Sequence, residues 1–433
     1  MRRRLQTHFE LPYGRSETVG FELADRNLSF FIKRQKLAPL RNFRESLLRA
    51  LKNPIHSVPF DRLAKKAKNV VLIVDDLTRL TPQKQVLPTM LELLCSNRVK
   101  DDKIEIMIGL GSHRAMTETE ITDRLGPEIT ERFTVSQHDC LDEERLVNLG
   151  TTRLGIPALV NKTVVDADLV LAVGNIVPHN AAGWAGGAKL ILPAVCGAKS
   201  IGMLHVAAGK VKPIWKLVAT LDNPIRGCIN ETAQLAGLKA VVNTVLNHDD
   251  NVVGLFAGDP IHAHRAGVRA ASKVYCHKVN ELADIVICST YPADIDYWQA
   301  GKGLDYANLG VKKGGTIVLI TPCPERISPA HTGLTARATE SYSTLLDAVD
   351  RGQIENPSVA GFLLMHSQLL EHASVICYSQ GLTEEDKQAL GFTHAPTVEE
   401  AVQMALKRHG ERARVGVLEC GEVVPIAPRA RLR

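Results

Sequence analysis

The chain of 433 residues has no pair of cysteines in C-x-x-C spacing, and its nine cysteines stand singly. That argues against a zinc site and against a disulfide framework. Scattered thiols in odd number fit a reducing compartment, so a cytoplasmic protein is expected. No apolar run reaches the roughly 18 residues of a membrane-spanning helix. No apolar stretch follows the first arginines either, so no secretory signal is expected. Aromatic residues are only 5% of the chain. No interior basic stripe is interleaved with them, which argues against a nucleic-acid partner. Net charge is also low, with 52 basic against 47 acidic residues. The basic residues gather at the ends, in "MRRR" and "PRARLR", which read as solvated tails. Finally, no G-x-G-x-x-G with an acidic residue about 20 positions later follows the early strands, so the dinucleotide fingerprint is missing.

What is present is ample material for a large core. Hydrophobic residues make up 45% and charged residues 23%. At roughly 100–200 residues per domain, two domains are expected. Short apolar runs alternate with helical patterns: "NVVLIVDD" (69–76), "KIEIMIGLGSH" (103–113) and "DADLVLAVGNIVPH" (166–179) read as buried strands. A second series follows at 281–292, 314–324 and 373–380. Thr117 with Glu120, and Thr397 with Glu400, have capping-box spacing ahead of helices. "YGRSETVGFEL" suggests an N-terminal hairpin, and "RVGVLECGEVVPI" one last strand. The alternation predicts an α/β fold of two domains, each with a mainly parallel sheet flanked by helices. The expected division is 1–274, possibly completed by 410–433, and 275–409.

In open α/β sheets, ligands sit beyond the carboxyl ends of the strands. Those ends are chemically loaded here. "DDLTRLTP" (75–82) places Asp76, Thr78 and Arg79 in one turn. The turn reads either as an Asx turn before a helix or as an anion site with a guanidinium fork. His113 ends the second strand, where an imidazole serves as a loop residue or as an acid–base group. "PHNAAGWAGGAKLILPAVCGAKSIGMLH" (178–205) looks at first like a phosphate loop. It fails the P-loop pattern, because Ala188 stands where the second glycine belongs and Leu190 where the hydroxyl belongs. Its Lys189 enters an apolar run, where an ammonium must be paired, neutral or covalently used. His179 and His205 flank it with no zinc-motif spacing. In "YWQAGKGLD" (297–305), Gln299 and Lys302 would share a helix face beside Trp298. "HAH" (262–264) is a weak metal candidate.

Taken in order, these pieces resemble the nickel-dependent lactate racemase family. The elements are DD-x-TR-x-TP at 75–82, "GSH" at 111–113, "PH" at 178–179, "GGAK" at 186–189, "LP" at 192–193, His205, and "WQAGK" at 298–302. The resemblance spans most of the chain. It implies a nickel-pincer nucleotide (nickel pyridinium-3,5-bisthiocarboxylic acid mononucleotide) attached covalently to Lys189, with His205 as the protein ligand of nickel. It implies His113 and His179 as the acid–base pair, and Arg79, Gln299, Lys302 and Trp298 as substrate-binding groups. Asp76, Thr78, Gly186 and Gly187 fall near the cofactor. Ala188, Ala194 and Trp298 depart from the expected pattern, which leaves open which 2-hydroxy acid is the substrate. Cofactor biosynthesis and insertion proteins are the implied partners.

The implied chemistry suits these residues. The Cα–H of a 2-hydroxy acid is barely acidic, so inversion is better served by removing the hydroxyl proton and moving the Cα hydrogen as hydride, through a 2-keto acid. No side chain accepts hydride, so a cofactor is required. Arg79 and Lys302 come from different expected domains, which places the active site in the interdomain cleft. The competing readings are an NAD(P)-dependent 2-hydroxy acid oxidoreductase and a non-catalytic nickel- or nucleotide-binding protein on the same scaffold.

Overall fold

The structure is a computed structural model and describes residues 6–427. The two basic end segments expected as tails, 1–4 and 428–433, lie outside the described residues. The strand Val70–Asp75 is buried along its whole length. An apolar run of that kind belongs in the middle of a sheet covered on both faces. It pairs in parallel with Ile104–Gly109 on one side and Leu169–Asn175 on the other. Thr134–Gln137 and Leu238–Leu246 extend the ladder in parallel, and Val252–Gly258 closes one edge antiparallel. Asp75 lies opposite Gly109, so the loaded ends of these strands share one edge of the sheet.

A second sheet of six strands is parallel throughout. Its order is Thr393–His394, Ser374–Tyr378, Val311–Ile320, Ala283–Ser289, Val415–Leu418 and Leu28–Ile32. The helix Val398–His409 packs on it, with the Thr397 side chain accepting from the Glu400 amide. Thr117 and Glu120 complete both halves of their capping box. No helix among the described residues is long and apolar enough to cross a membrane.

The N-terminal segment, expected within 1–274, packs on the second sheet instead. The hairpin Gln6–Tyr13 and Glu17–Ala24 forms as expected, but Phe9, Leu11, Tyr13, Phe21 and Leu23 bury against Ile285, Ile287, Val318 and Val415 of the second sheet. Its alternating apolar face needs a cover, and the second sheet supplies it. Leu28–Ile32 then joins that sheet as its edge. The final stretch makes two strands rather than one. Gly421 sits between them, where an added Cβ would meet the Thr290 carbonyl oxygen at 2.5 Å. Val415–Leu418 lies in the second sheet, while Val424–Ile426 pairs with Cys276–Lys278, where the chain crosses between the sheets.

Two helices join the units through backbone contact. In Ala198–Gly209 and Pro357–His372, a Cβ on Gly361 would lie 2.3 Å from the His205 carbonyl carbon, and one on Gly202 would lie 2.3 Å from Pro357. Gly361→Ala is therefore expected to destabilise the chain by about 1–3 kcal/mol through overpacking. Denaturant melts read this directly, and a change near zero would show that the helices part easily.

Candidate active site

The two acids of "DD" do different work. Asp75 is tied down by Arg124, by Thr81 Oγ1 at 2.5 Å and by Gln83 Nε2 at 2.9 Å. Asp76 turns the other way. Its Oδ1 accepts from the Thr78 amide at 3.1 Å and from Thr78 Oγ1 at 2.5 Å, and its Oδ2 takes His113 Nδ1 at 2.5 Å. The Asx turn is thus real, and it aims Asp76 at an imidazole. Burial alone would raise the Asp76 carboxyl. His113, Arg79 and Thr78 outweigh burial and hold it well below the usual carboxylate range.

The proton on His113 can be placed by elimination. Lys302 Nζ donates to Gln299 Oε1, so the amide nitrogen of Gln299 faces His113 Nε2, at 2.7 Å. That amide is a donor, so His113 Nε2 is an acceptor and Nδ1 carries the hydrogen toward Asp76. His179 has the opposite arrangement. Its Nδ1 accepts from the Ala181 and Ala182 amides, both at 3.2 Å, leaving the hydrogen on Nε2. Burial, with Lys189, Lys302, Arg79 and Arg226 nearby, pushes His179 well below its ordinary pKa, so it is neutral. One ring thus has its lone pair at Nε2, where it accepts from Gln299, and the other has an N–H at Nε2.

Lys189 sits in the short helical turn Gly187–Leu190. Its Nζ makes no hydrogen bond or ion pair among the described residues. Burial pushes the amine down to about 7, helped by Arg79 and Arg226 and opposed by Asp76 and Asp75. His205, on Ala198–Gly209, is pushed down to about 3 by burial and by Lys189, His113 and Lys302. Its Nδ1 is buried without a partner. Lys302 lies well below its ordinary range, through burial beside Arg79 and Lys189. The surface these side chains retain borders one cavity, lined also by Arg79, Gln299 and Trp298. Arg79, Lys189 and Lys302 line the cavity, and its acids Asp75 and Asp76 are already engaged, which suits an anionic ligand.

The two glycines of the loop serve different ends. Gly186 borders the cavity. Gly187 does not face it. Its amide donates to Asn243 Oδ1 at 2.9 Å, and an added Cβ would meet the His264 side chain at 2.8 Å. Both residues have positive φ, at 76° and 61°. The glycine pair therefore lets the loop pack closely on neighbouring side chains, and Thr78 serves by holding Asp76. His264 is itself a prop of that loop, with Nε2 2.9 Å from the Ala185 carbonyl oxygen. Among the described residues, no group of three or more His, Cys, Asp or Glu could hold a metal by itself. His205 would need donors from a cofactor.

Several neighbours carried no signal in the sequence. Buried Arg226 clamps the loop by its carbonyls, donating to Ala182 at 3.3 Å, to Trp184 and to Gly186 at 3.5 Å. "YWQAGKGLD" forms the start of a buried helix, Tyr297–Asn308, as the shared face of Gln299 and Lys302 implies. Trp298 lies between His331, with centroids 3.5 Å apart, and Phe362, at 4.8 Å, and meets His205 edge-on at 5.5 Å. His331 Nε2 reaches Ser112 Oγ at 3.0 Å, and Arg114 pairs with Glu325 at 2.6 Å. Ser112, His113 and Arg114 are thus each bound by the second unit.

Two mainly parallel sheets with their loaded ends at a shared cleft, and two imidazoles of opposite tautomer beside it, define a two-unit α/β protein with an enzyme-like site. Comparison with known proteins narrows this. The lactate racemase N-terminal domain model matches residues 13–213, and the lactate racemase C-terminal domain model matches 279–426. The lactate racemase of Thermoanaerobacterium thermosaccharolyticum is 31% identical over 322 residues, 73% of this chain and 75% of that protein. The lactate racemase of Lactiplantibacillus plantarum is 28% identical, over 95% of this chain and 98% of that protein. The structure of the T. thermosaccharolyticum lactate racemase apoprotein superposes with a TM-score of 0.86 at 27% identity, covering 98% of this chain and all of that one. A Thermotoga maritima protein, at 19% identity and TM-score 0.70, shares the fold. The chain belongs to the lactate racemase family, whose named members here are isomerases.

Proposed function

We propose that this enzyme inverts C2 of a 2-hydroxy acid, using a nickel-pincer nucleotide held covalently by Lys189 and completed at nickel by His205. The observation that carries this reading is the convergence of two orphans in one cavity: an unpaired amine lowered to about 7 and a buried imidazole nitrogen without a partner. A neutral amine is what covalent attachment needs, and a neutral imidazole is what a metal needs. When bound, the group supplies the hydride acceptor and donor that side chains lack. The family relation to proteins named lactate racemase makes lactate the first substrate to try.

The chain's own residues would do the rest. Arg79 and Lys302 hold the substrate carboxylate, with Gln299 linking Lys302 to His113. His113 Nε2, once the Gln299 amide yields its place to the substrate, would take the hydroxyl proton of one enantiomer, and Asp76 would stabilise the imidazolium that forms. His179, across the substrate, serves the other enantiomer, so the pair acts in reverse order for the reverse turnover. The cleft excludes water from the keto acid between the two transfers. The test is to make the protein together with the cofactor-assembly proteins and follow enantiopure 2-hydroxy acids by chiral chromatography. Inversion by the loaded protein, and none by the bare chain, is expected. Turnover that depends on added NAD(P) would favour an oxidoreductase instead.

Two substitutions probe the assignments. Asp76→Asn removes the acceptor that fixes the His113 tautomer, and kcat is expected to fall by at least about 10²-fold. Arg79→Ala removes a charge-assisted contact worth about 1.5–3 kcal/mol, so KM is expected to rise by one to two orders of magnitude. Arg79→Lys should recover little of this, because a point charge does not replace a planar fork. An unchanged KM in both Arg79 variants would place the carboxylate elsewhere.

A further inference from the structure

The helix Tyr297–Asn308 reaches both candidate acid–base residues, but by different means. It holds His113 directly through Gln299. It grips the His179 loop on either side of the ring. Tyr306 Oη donates to the Pro178 carbonyl oxygen at 2.9 Å, and Asn180 Nδ2 donates to Asp305 Oδ2 at 2.8 Å. Asn180 Oδ1 also accepts from the Ala181 amide at 2.9 Å, the amide that faces His179 Nδ1. The side chain of Asn180 thus ties the turn under the imidazole to a carboxyl from the other unit. Asp305 is almost fully buried, at 7% exposure. A buried carboxyl without such a partner is costly, so the pair is a specific contact and not a passing one.

The geometry points to Asn180 and Asp305 as positioning residues for His179: their hydrogen bond across the cleft sets the turn whose amides hold the ring with its hydrogen on Nε2. His179 is then presented to substrate only while the two units are docked. Burial, opposed by Asn180 and Lys302, raises Asp305 to about 7. The contact survives in either protonation state, because Oδ2 can accept in both. The inference rests on the reading of His179 as an acid–base group.

The test uses the full chain in two forms. In the cofactor-loaded enzyme, Asn180→Ala and Asp305→Ala are expected to lower kcat about tenfold each, the worth of one hydrogen bond, with KM little changed. Asp305→Asn keeps an acceptor oxygen and should recover most of the loss. In the bare chain labelled with 15N-histidine, the native His179 ring should show a bare Nδ1 and a protonated Nε2. Asn180→Ala should mix the tautomers of His179 and leave those of His113 alone. Asn180 lies in a loop, so its variant speaks even if Asp305→Ala fails to fold. An unchanged His179 spectrum in Asn180→Ala, or a loss confined to KM, overturns the inference. His179→Ala separates the two ideas. If it removes activity while the Asn180 and Asp305 variants stay native in both readouts, the positioning claim fails alone. If His179→Ala stays active, the acid–base reading fails, and the ring spectrum still decides the positioning claim.

Discussion

Lys189→Ala is expected to lose the covalent adduct, the bound nickel and all measurable inversion, while folding normally. The reason lies in what surrounds the amine. Burial and the cations Arg79 and Arg226 push it down to about 7. Losing that side chain relieves repulsion, so stability should hold or rise. The sign of the pH dependence follows: below about 7 the amine is protonated and inert, and above it the lone pair is free. An ordinary lysine titrates near 10.4, so at pH 7.5 Lys189 should react with a small isothiocyanate roughly a hundred-fold faster than a surface lysine. Mass mapping of the bare chain at several pH values checks this without any cofactor. Labelling at Lys189 no faster than at Lys199 would contradict it. Lys189→Arg keeps a long basic side chain, yet should be as inactive as the alanine variant, because a guanidinium stays protonated.

His113→Ala and His179→Ala are each expected to cut kcat by about 10²–10⁴-fold, with adduct and nickel retained. The double variant should fall little further, since each turnover needs both rings and their effects are not additive. His113→Ala also leaves Asp76 buried without its imidazole. With the imidazole gone, the carboxyl should rise toward the ordinary range, because only Arg79 and Thr78 then oppose burial. Inversion left unchanged in both single variants would remove the acid–base assignment altogether.

Much of this site is readable in the sequence because its residues sit at strand ends and in one compact loop. Asp76, Arg79, His113 and His179 follow apolar runs that read as buried strands, and Lys189 stands in the loop that continues from the third. Their meeting in one cavity follows from parallel pairing in register. Three things were not readable, each for a physical reason. Arg226, Asp305, His331 and Phe362 act through partners far away in sequence, and no local pattern marks such contacts. Glycine spacing reports tight backbone but not its cause, so Gly187 looks like a ligand cradle and proves to be packed on His264. The ownership of an edge strand depends on which sheet offers an unpaired edge, so residues 28–32 join the second sheet although the expected boundary places them with the first unit.

The most direct measurement of the central claim is the fate of the Cα hydrogen. Enantiopure lactate, or the 2-hydroxy acid that the loaded enzyme turns over fastest, is labelled with deuterium at C2 and racemised in ordinary water. If the hydrogen leaves and returns as hydride while His113 and His179 move only the hydroxyl proton, the inverted product keeps its deuterium. Inverted product carrying solvent hydrogen at C2 would mean proton abstraction at carbon, and would contradict the account.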